Sequence, residues 1–235
     1  MSLGKLFLIP TVLHDDEHAL HALPLYLTDA VKQCTVFFVE NEKTARRFLK
    51  KLWKEIVIDN YEWHAIHKAE DEQKKAFITA LQSGKNIGII SDAGCPGIAD
   101  PGQILIAEAQ KINAVVVPLV GPNSIILALM ASGMNGQQFK FNGYLPIDNH
   151  ERRKVIKELE AESGKKSCTQ IFIETPYRNN ALIKDILAYC HNETRFCVAV
   201  DITAPSESIQ TKTIKEWKNN TTDIHKRPAI FLLQM

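Results

Sequence analysis

Short, largely apolar runs recur along the chain at residues 5–10, 35–40, 86–91, 114–120, 169–174, 196–201 and 228–234. Most are separated by segments in which apolar residues return every three or four positions, as at 70–82 and 103–111. Unbroken apolar runs suit strands covered on both faces, and the segments of helical period supply the cover. The alternation predicts an α/β fold with parallel sheet and helices packed on it. A boundary is expected near residues 118–122, where a strand-like run ends in Gly121-Pro122-Asn123-Ser124 and a new apolar helix begins at 124–132. That gives two α/β domains, residues 1–116 and 117–235.

The chain's 235 residues are 45% hydrophobic and 23% charged, enough for one large domain or two small ones. No apolar run reaches the roughly 20 residues of a spanning helix, and the first residues lack the apolar core of a signal peptide. A cytoplasmic protein with no membrane partner is expected. The five cysteines (Cys34, Cys95, Cys168, Cys190, Cys197) are scattered without a Cys-x-x-Cys pair and read as reduced thiols. A net charge of +1 does not mark a strongly basic nucleic-acid binder, so any RNA contact must come from a local patch.

The most informative segment is Gly88-Ile89-Ile90-Ser91-Asp92-Ala93-Gly94-Cys95-Pro96-Gly97-Ile98-Ala99-Asp100-Pro101-Gly102. A strand runs into a loop rich in glycine and proline, and a helix follows. At the carboxyl edge of an α/β sheet such a loop lies where ligands bind, and its glycines let backbone approach them closely. Ser83-Gly84-Lys85-Asn86 lacks the upstream glycine and the following Ser/Thr of a phosphate loop, and no dinucleotide fingerprint follows a strand. If helical, residues 43–54 carry Lys43, Arg47, Lys50 and Lys54 on one face and Phe48, Leu49, Leu52 and Trp53 on the other. The basic face reads either as solvated surface or as a phosphate contact. Residues 151–167, with Arg152, Arg153, Lys154, Lys157, Lys165 and Lys166, read as a solvated helix and loop. His14, His18 and His21 fall at helical spacing without matching carboxylates or thiols, and no metal is expected.

Ser91-Asp92-Ala93-Gly94, Pro96-Gly97-Ile98 and Asp100-Pro101-Gly102 together resemble the signature of the tetrapyrrole methylase superfamily, in its ribosomal-RNA 2′-O-methyltransferase branch. Three later blocks agree in order: Val117-Pro118-Leu119-Val120-Gly121-Pro122-Asn123-Ser124, Phe139 to Pro146, and Glu174-Thr175-Pro176-Tyr177-Arg178. The chain departs from the family at its first loop, Pro10-Thr11-Val12-Leu13-His14-Asp15-Asp16, where a glycine is missing. It departs again at Glu40-Asn41-Glu42-Lys43, where lysine stands for arginine, and at His67-Lys68-Ala69.

The resemblance implies a mixed sheet in the second domain, a homodimer, and S-adenosyl-L-methionine held in a cleft between the domains. It assigns cofactor contacts to Leu13, Gly94, Cys95, Pro96, Gly97, Ile98, Asn123, Ser124, Glu174, Ile202, Pro228 and Ala229. Arg178, with the basic face of residues 43–54, would meet substrate, namely ribosomal RNA or the small ribosomal subunit. Methyl transfer from a sulfonium needs alignment and at most a base, and Asp92 and Glu174 are preferred over Glu40 and Asp100 for that role. A tetrapyrrole carbon as acceptor, and a cofactor-binding protein without catalysis, are the alternatives. A thiolate at Cys95 is disfavoured, since no basic neighbour in sequence would lower its pKa.

Overall fold

The computed structural model describes residues 2–66, 70–219 and 223–235; the departure at His67-Lys68-Ala69 lies outside them. The chain divides into two compact units, Met1–Asn123 and Ser124–Met235.

The first unit is built on strands β1 (Leu6–Ile9), β2 (Val36–Val39), β3 (Glu62–Ala65), β4 (Ile87–Ile90) and β5 (Val116–Pro118), in the order β3-β2-β4-β1-β5. All four pairings are parallel. Because side chains alternate across a strand, Phe7, Ile9, Phe37, Val39 and Ile90 are buried on one face under α1 (Leu27–Val31) and α2 (Glu42–Leu52). Leu6, Val36, Phe38, Ile87 and Ile89 are buried on the other under α3 (Glu70–Gln82) and α4 (Gln103–Lys111). Gly88 is required at the centre of β4, where a Cβ would lie 2.7 Å from both Ile9 Cδ1 and Phe37 Cε1.

The second unit opens with α5 (Ser124–Ser132) and places β6 (Phe139–Tyr144), β7 (Thr169–Ile173), β8 (Arg195–Val200), β9 (Ser208–Thr213) and β10 (Ala229–Gln234) in the order β6-β7-β10-β8-β9. Only β6 and β7 are parallel, so this sheet is mixed. Phe172, Phe196, Val198, Phe231 and Leu233 are buried under α6 (Asn149–Lys166), α7 (Asn179–Tyr189) and α8 (Ile214–Asn219). The apolar helix α5 lies against β8, β9 and β10.

The solvated reading of residues 151–167 needs correction at Arg152, which is only 4% exposed. Its guanidinium donates to Asp185 at 2.7 Å, to the Ile147 carbonyl at 2.9 Å and to Asn149 Oδ1 at 2.6 Å. A charge can be buried there because its partners neutralise it and satisfy its donors. The helix of residues 43–54 also differs: α2 ends at Leu52, Trp53 is extended and packs on the core cluster, and Lys54 lies beyond the helical face.

Candidate functional site

In the first unit β1 and β4 are neighbours, yet the chain leaves β1 for α1 on one face and reaches α4 on the other face after β4. The loops after these strands therefore part at a topological switch point, where open parallel sheets bind ligands. Each loop is fixed by the other. Thr11 donates its N–H to the Gly94 carbonyl at 2.9 Å and its hydroxyl to the Ser91 carbonyl at 3.3 Å. From β2, Glu40 accepts the Asp92 N–H at 3.0 Å.

The glycine-rich loop is organised from within by Asp100, whose two oxygens accept the Gly97 N–H at 2.7 Å and the Gly102 N–H at 2.6 Å. Burial raises its pKa above the ordinary carboxylate value, only partly offset by these hydrogen bonds, and the Glu40 charge adds to the rise. Gly94 and Gly97 stand at φ +74° and +84°, the left-handed region that favours glycine. A Cβ on Gly94 would lie 3.3 Å from both Leu13 Cδ2 and the Pro122 carbonyl oxygen. The Cys95 thiol points at the Gly121 and Pro122 carbonyls, 3.6 and 3.5 Å away, tying the loop to the turn after β5. Burial first and Asp100 second raise the Cys95 pKa, so the thiol is protonated and serves as a donor. Pro96 is buried and Ile98 is half exposed.

Beside this loop is a pocket of about 140 Å³, open to solvent and lined by Thr11, Leu13, Asp16, Phe48, Ser91 and Asp92, among others. Asp15, at its rim, pairs with Lys51 and with Arg47 at 2.9 Å. The Lys51 hydrogen bond lowers the Asp15 pKa, burial opposes it, and the Arg47 charge adds to the lowering. Of the basic residues expected to meet substrate, Arg47 is thus paired with an acid, and Lys50 donates to the Ile56 carbonyl at 2.5 Å. Lys43 is exposed at the start of α2, and Lys54 is exposed beyond its end. Lys51 was not singled out by its spacing, because its partner Asp15 is 36 residues away. His18 and His21 stack with centroids 5.3 Å apart, and among the described residues no three His, Cys, Asp or Glu side chains form a metal-holding group.

In the second unit the end of β7, the end of β8 and the start of β10 share one edge, since Ile173 pairs with Ile230 and Val200 with Ala229. That register collects Glu174, Ile202, Pro228 and Ala229 there. Glu174 Oε1 accepts the Thr175 N–H at 2.6 Å and Arg178 Nε and Nη2 at 3.0 and 2.6 Å. Glu174 Oε2 is buried with no partner in this structure. Ile202 is buried between Asp201 at φ +49° and Thr203 at φ +74°, two side-chain-bearing residues in the left-handed region. Asp201 pays for that turn with bonds to Arg227 Nε and Ser206 Oγ, both at 2.8 Å. Asn123 and Ser124 stand at the division between the units.

A parallel unit with close-packed glycine loops at its switch point, followed by a mixed-sheet unit with a buried acid at a strand end, defines a two-unit α/β protein with its glycine loops where open parallel sheets bind ligands. The chain belongs to the tetrapyrrole (corrin/porphyrin) methylase family, whose model matches residues 20–218. It is 36% identical over 147 residues to the ribosomal RNA small subunit methyltransferase I of Vibrio cholerae, covering 62% of this chain and 50% of the relative. To the protein of the same name from Bacillus subtilis it is 31% identical over 220 residues, covering 92% and 71%. The chain spans about half the length of the first curated relatives it matches. Among solved structures, the methyltransferase CobJ aligns over 100% of this chain and 94% of its own, with TM-score 0.62 and 13% identity. A Thermus thermophilus uroporphyrin-III C-methyltransferase complexed with S-adenosyl homocysteine aligns over 98% and 97%, with TM-score 0.55 and 13% identity. These two likenesses bear on the fold.

Proposed function

We propose that this protein is an S-adenosylmethionine-dependent methyltransferase whose acceptor is a ribose 2′-hydroxyl of small-subunit ribosomal RNA. The observation that carries the reading is the Ser91–Gly102 loop, held by Asp100 and Thr11 at the switch point of a parallel sheet. The relatives named ribosomal RNA small subunit methyltransferase I support the acceptor.

The residues present suit the cofactor in two ways. Gly94 and Gly97 leave main chain uncovered where a side chain would crowd Leu13, Pro122 or Ile106. Glu174 keeps one buried carboxylate oxygen able to accept a donor. When bound, the cofactor supplies a methyl group activated by positive sulfur. The residues that would hold it are Leu13, Gly94 to Ile98, Asn123, Ser124, Glu174, Ile202, Pro228 and Ala229. Asp92 would orient the acceptor hydroxyl and take its proton, while Glu174, already bonded to Arg178, would position rather than accept. Lys43, Arg47 and Arg178 would face the substrate, whereas Lys50 donates to the Ile56 carbonyl and Lys54 lies beyond the end of α2.

Incubation with methyl-labelled cofactor and either ribosomal subunits or tetrapyrroles tests this directly. Label is expected on RNA, at a ribose. Label on a tetrapyrrole carbon, or cofactor binding with no transfer to either acceptor, would replace the reading with one of the two alternatives.

A further inference from the structure

The parallel pair β6 and β7 delivers two tyrosines to one end of the second sheet. Tyr144 closes β6 and pairs with Ile173, and Tyr177 follows four residues later in the chain. Both rings face solvent, Tyr144 at 61% exposure and Tyr177 at 70%. The turn before β10 meets them there, because the Lys226 N–H donates to the Pro176 carbonyl at 3.1 Å. Lys226 is held at φ +63°, with its ammonium 5.9 Å from the Tyr177 ring centre. The His225 ring lies 6.1 Å from the same ring at 73°. Arg178 is fixed by Glu174, which raises the Arg178 pKa, with the Tyr144 oxygen adding to the effect.

Large aromatic rings are usually packed away, and these two are instead exposed and flanked by cations. The Arg178 charge is already met by Glu174 at 2.6 Å, so what the surface adds to the lysine is exposed ring faces. That combination suits unpaired bases better than a bare phosphate chain. We propose that Tyr144 and Tyr177, with Arg178 and Lys226 beside them, form a stacking platform for single-stranded bases of the RNA substrate. The inference rests on the RNA reading above and adds a second contact surface to it.

The test is binding of a labelled single-stranded mixed-sequence RNA, a duplex of equal length, and a ribose-phosphate chain without bases. Tyr177→Ala should weaken single-strand binding about 5- to 150-fold, the loss of one stacked base, whereas Tyr177→Phe stays near wild type. Tyr144→Ala should act in the same direction. Binding of the base-free chain should not respond to Tyr177→Ala, and thermal melting should show each variant folded. Wild-type affinity for single-stranded RNA in both alanine variants, with ribosomal subunits still methylated, overturns the platform and leaves the RNA reading standing. Equal weakening toward the base-free chain overturns the stacking role. A wild-type protein that binds S-adenosylmethionine and no RNA overturns both.

Discussion

Replacing Gly94 with alanine should weaken the fold and the proposed cofactor site together, and the structure says by how much. At φ +74° an L side chain costs about 1–2 kcal/mol. The new methyl would then meet Leu13 Cδ2 and the Pro122 carbonyl oxygen, each at 3.3 Å. The leucine can turn away and the carbonyl cannot without moving the turn after β5, so overpacking adds about 1–2 kcal/mol more. Gly133 is the control: it has φ +67°, and nothing within 4 Å of its Cβ position. Gly133→Ala should lose only the backbone part, about 1–2 kcal/mol in urea unfolding, against about 2–4 kcal/mol for Gly94→Ala. Calorimetric titration with S-adenosylhomocysteine should give wild-type affinity for Gly133→Ala and at least about tenfold weaker binding for Gly94→Ala. Equal affinities in the two variants would remove the Gly94 backbone from the ligand site. Equal stabilities would show that the close approach to Pro122 carries no energy.

Phe37, fully buried and stacked 4.9 Å from Trp63, should cost about 3–5 kcal/mol in equilibrium unfolding when cut to alanine. Asp100→Asn should destabilise by about 1–3 kcal/mol, since one amide oxygen cannot replace two carboxylate oxygens bonded to separate N–H groups. The folded-state pKa of Asp100 is raised, so its contribution is most favourable below the unfolded carboxylate value and declines as pH rises through the folded one; the gap between wild type and Asp100→Asn in urea unfolding should narrow over that interval. Asp15→Asn releases Arg47 and Lys51, and RNA affinity measured against salt should steepen by about 0.7–0.9 per cation that then meets a phosphate. Methyl transfer should survive EDTA, because the donor is already activated by its sulfonium, and a loss restored by added zinc or magnesium would contradict that.

The seven apolar runs read from sequence all became strands, and the three strands left unread, β3, β6 and β9, are edges of their sheets. An edge strand faces a neighbour on one side only, so Glu62-Trp63-His64-Ala65 and Ser208 to Thr213 carry polar residues where a central strand carries valine and isoleucine. The fourth edge, β5, was legible because Val116 and Val117 are partly covered and apolar. At the candidate site, the glycine loop was legible from local spacing. The pairing of Asp15 with Lys51 and the burial of Arg152 on Asp185 were not, since each joins residues more than thirty positions apart. Tyr144 and Tyr177 gave no signal as a pair until the parallel register of β6 and β7 brought them to one edge.

The middle position of β10 in the second sheet also sets a timetable for synthesis. All five strands of the first sheet have been made once residue 118 is complete, so that unit can close while later residues are still being added. The second sheet has no such option. Its inner strands β7 and β8 are joined only through residues 229–234, and until those are available the apolar faces of Phe172 and Phe196 wait without Phe231 between them. A ribosome paused after β9 would therefore present a finished first unit joined to a chain with two unpaired strand edges, the state in which this protein is most exposed to aggregation and most in need of a chaperone.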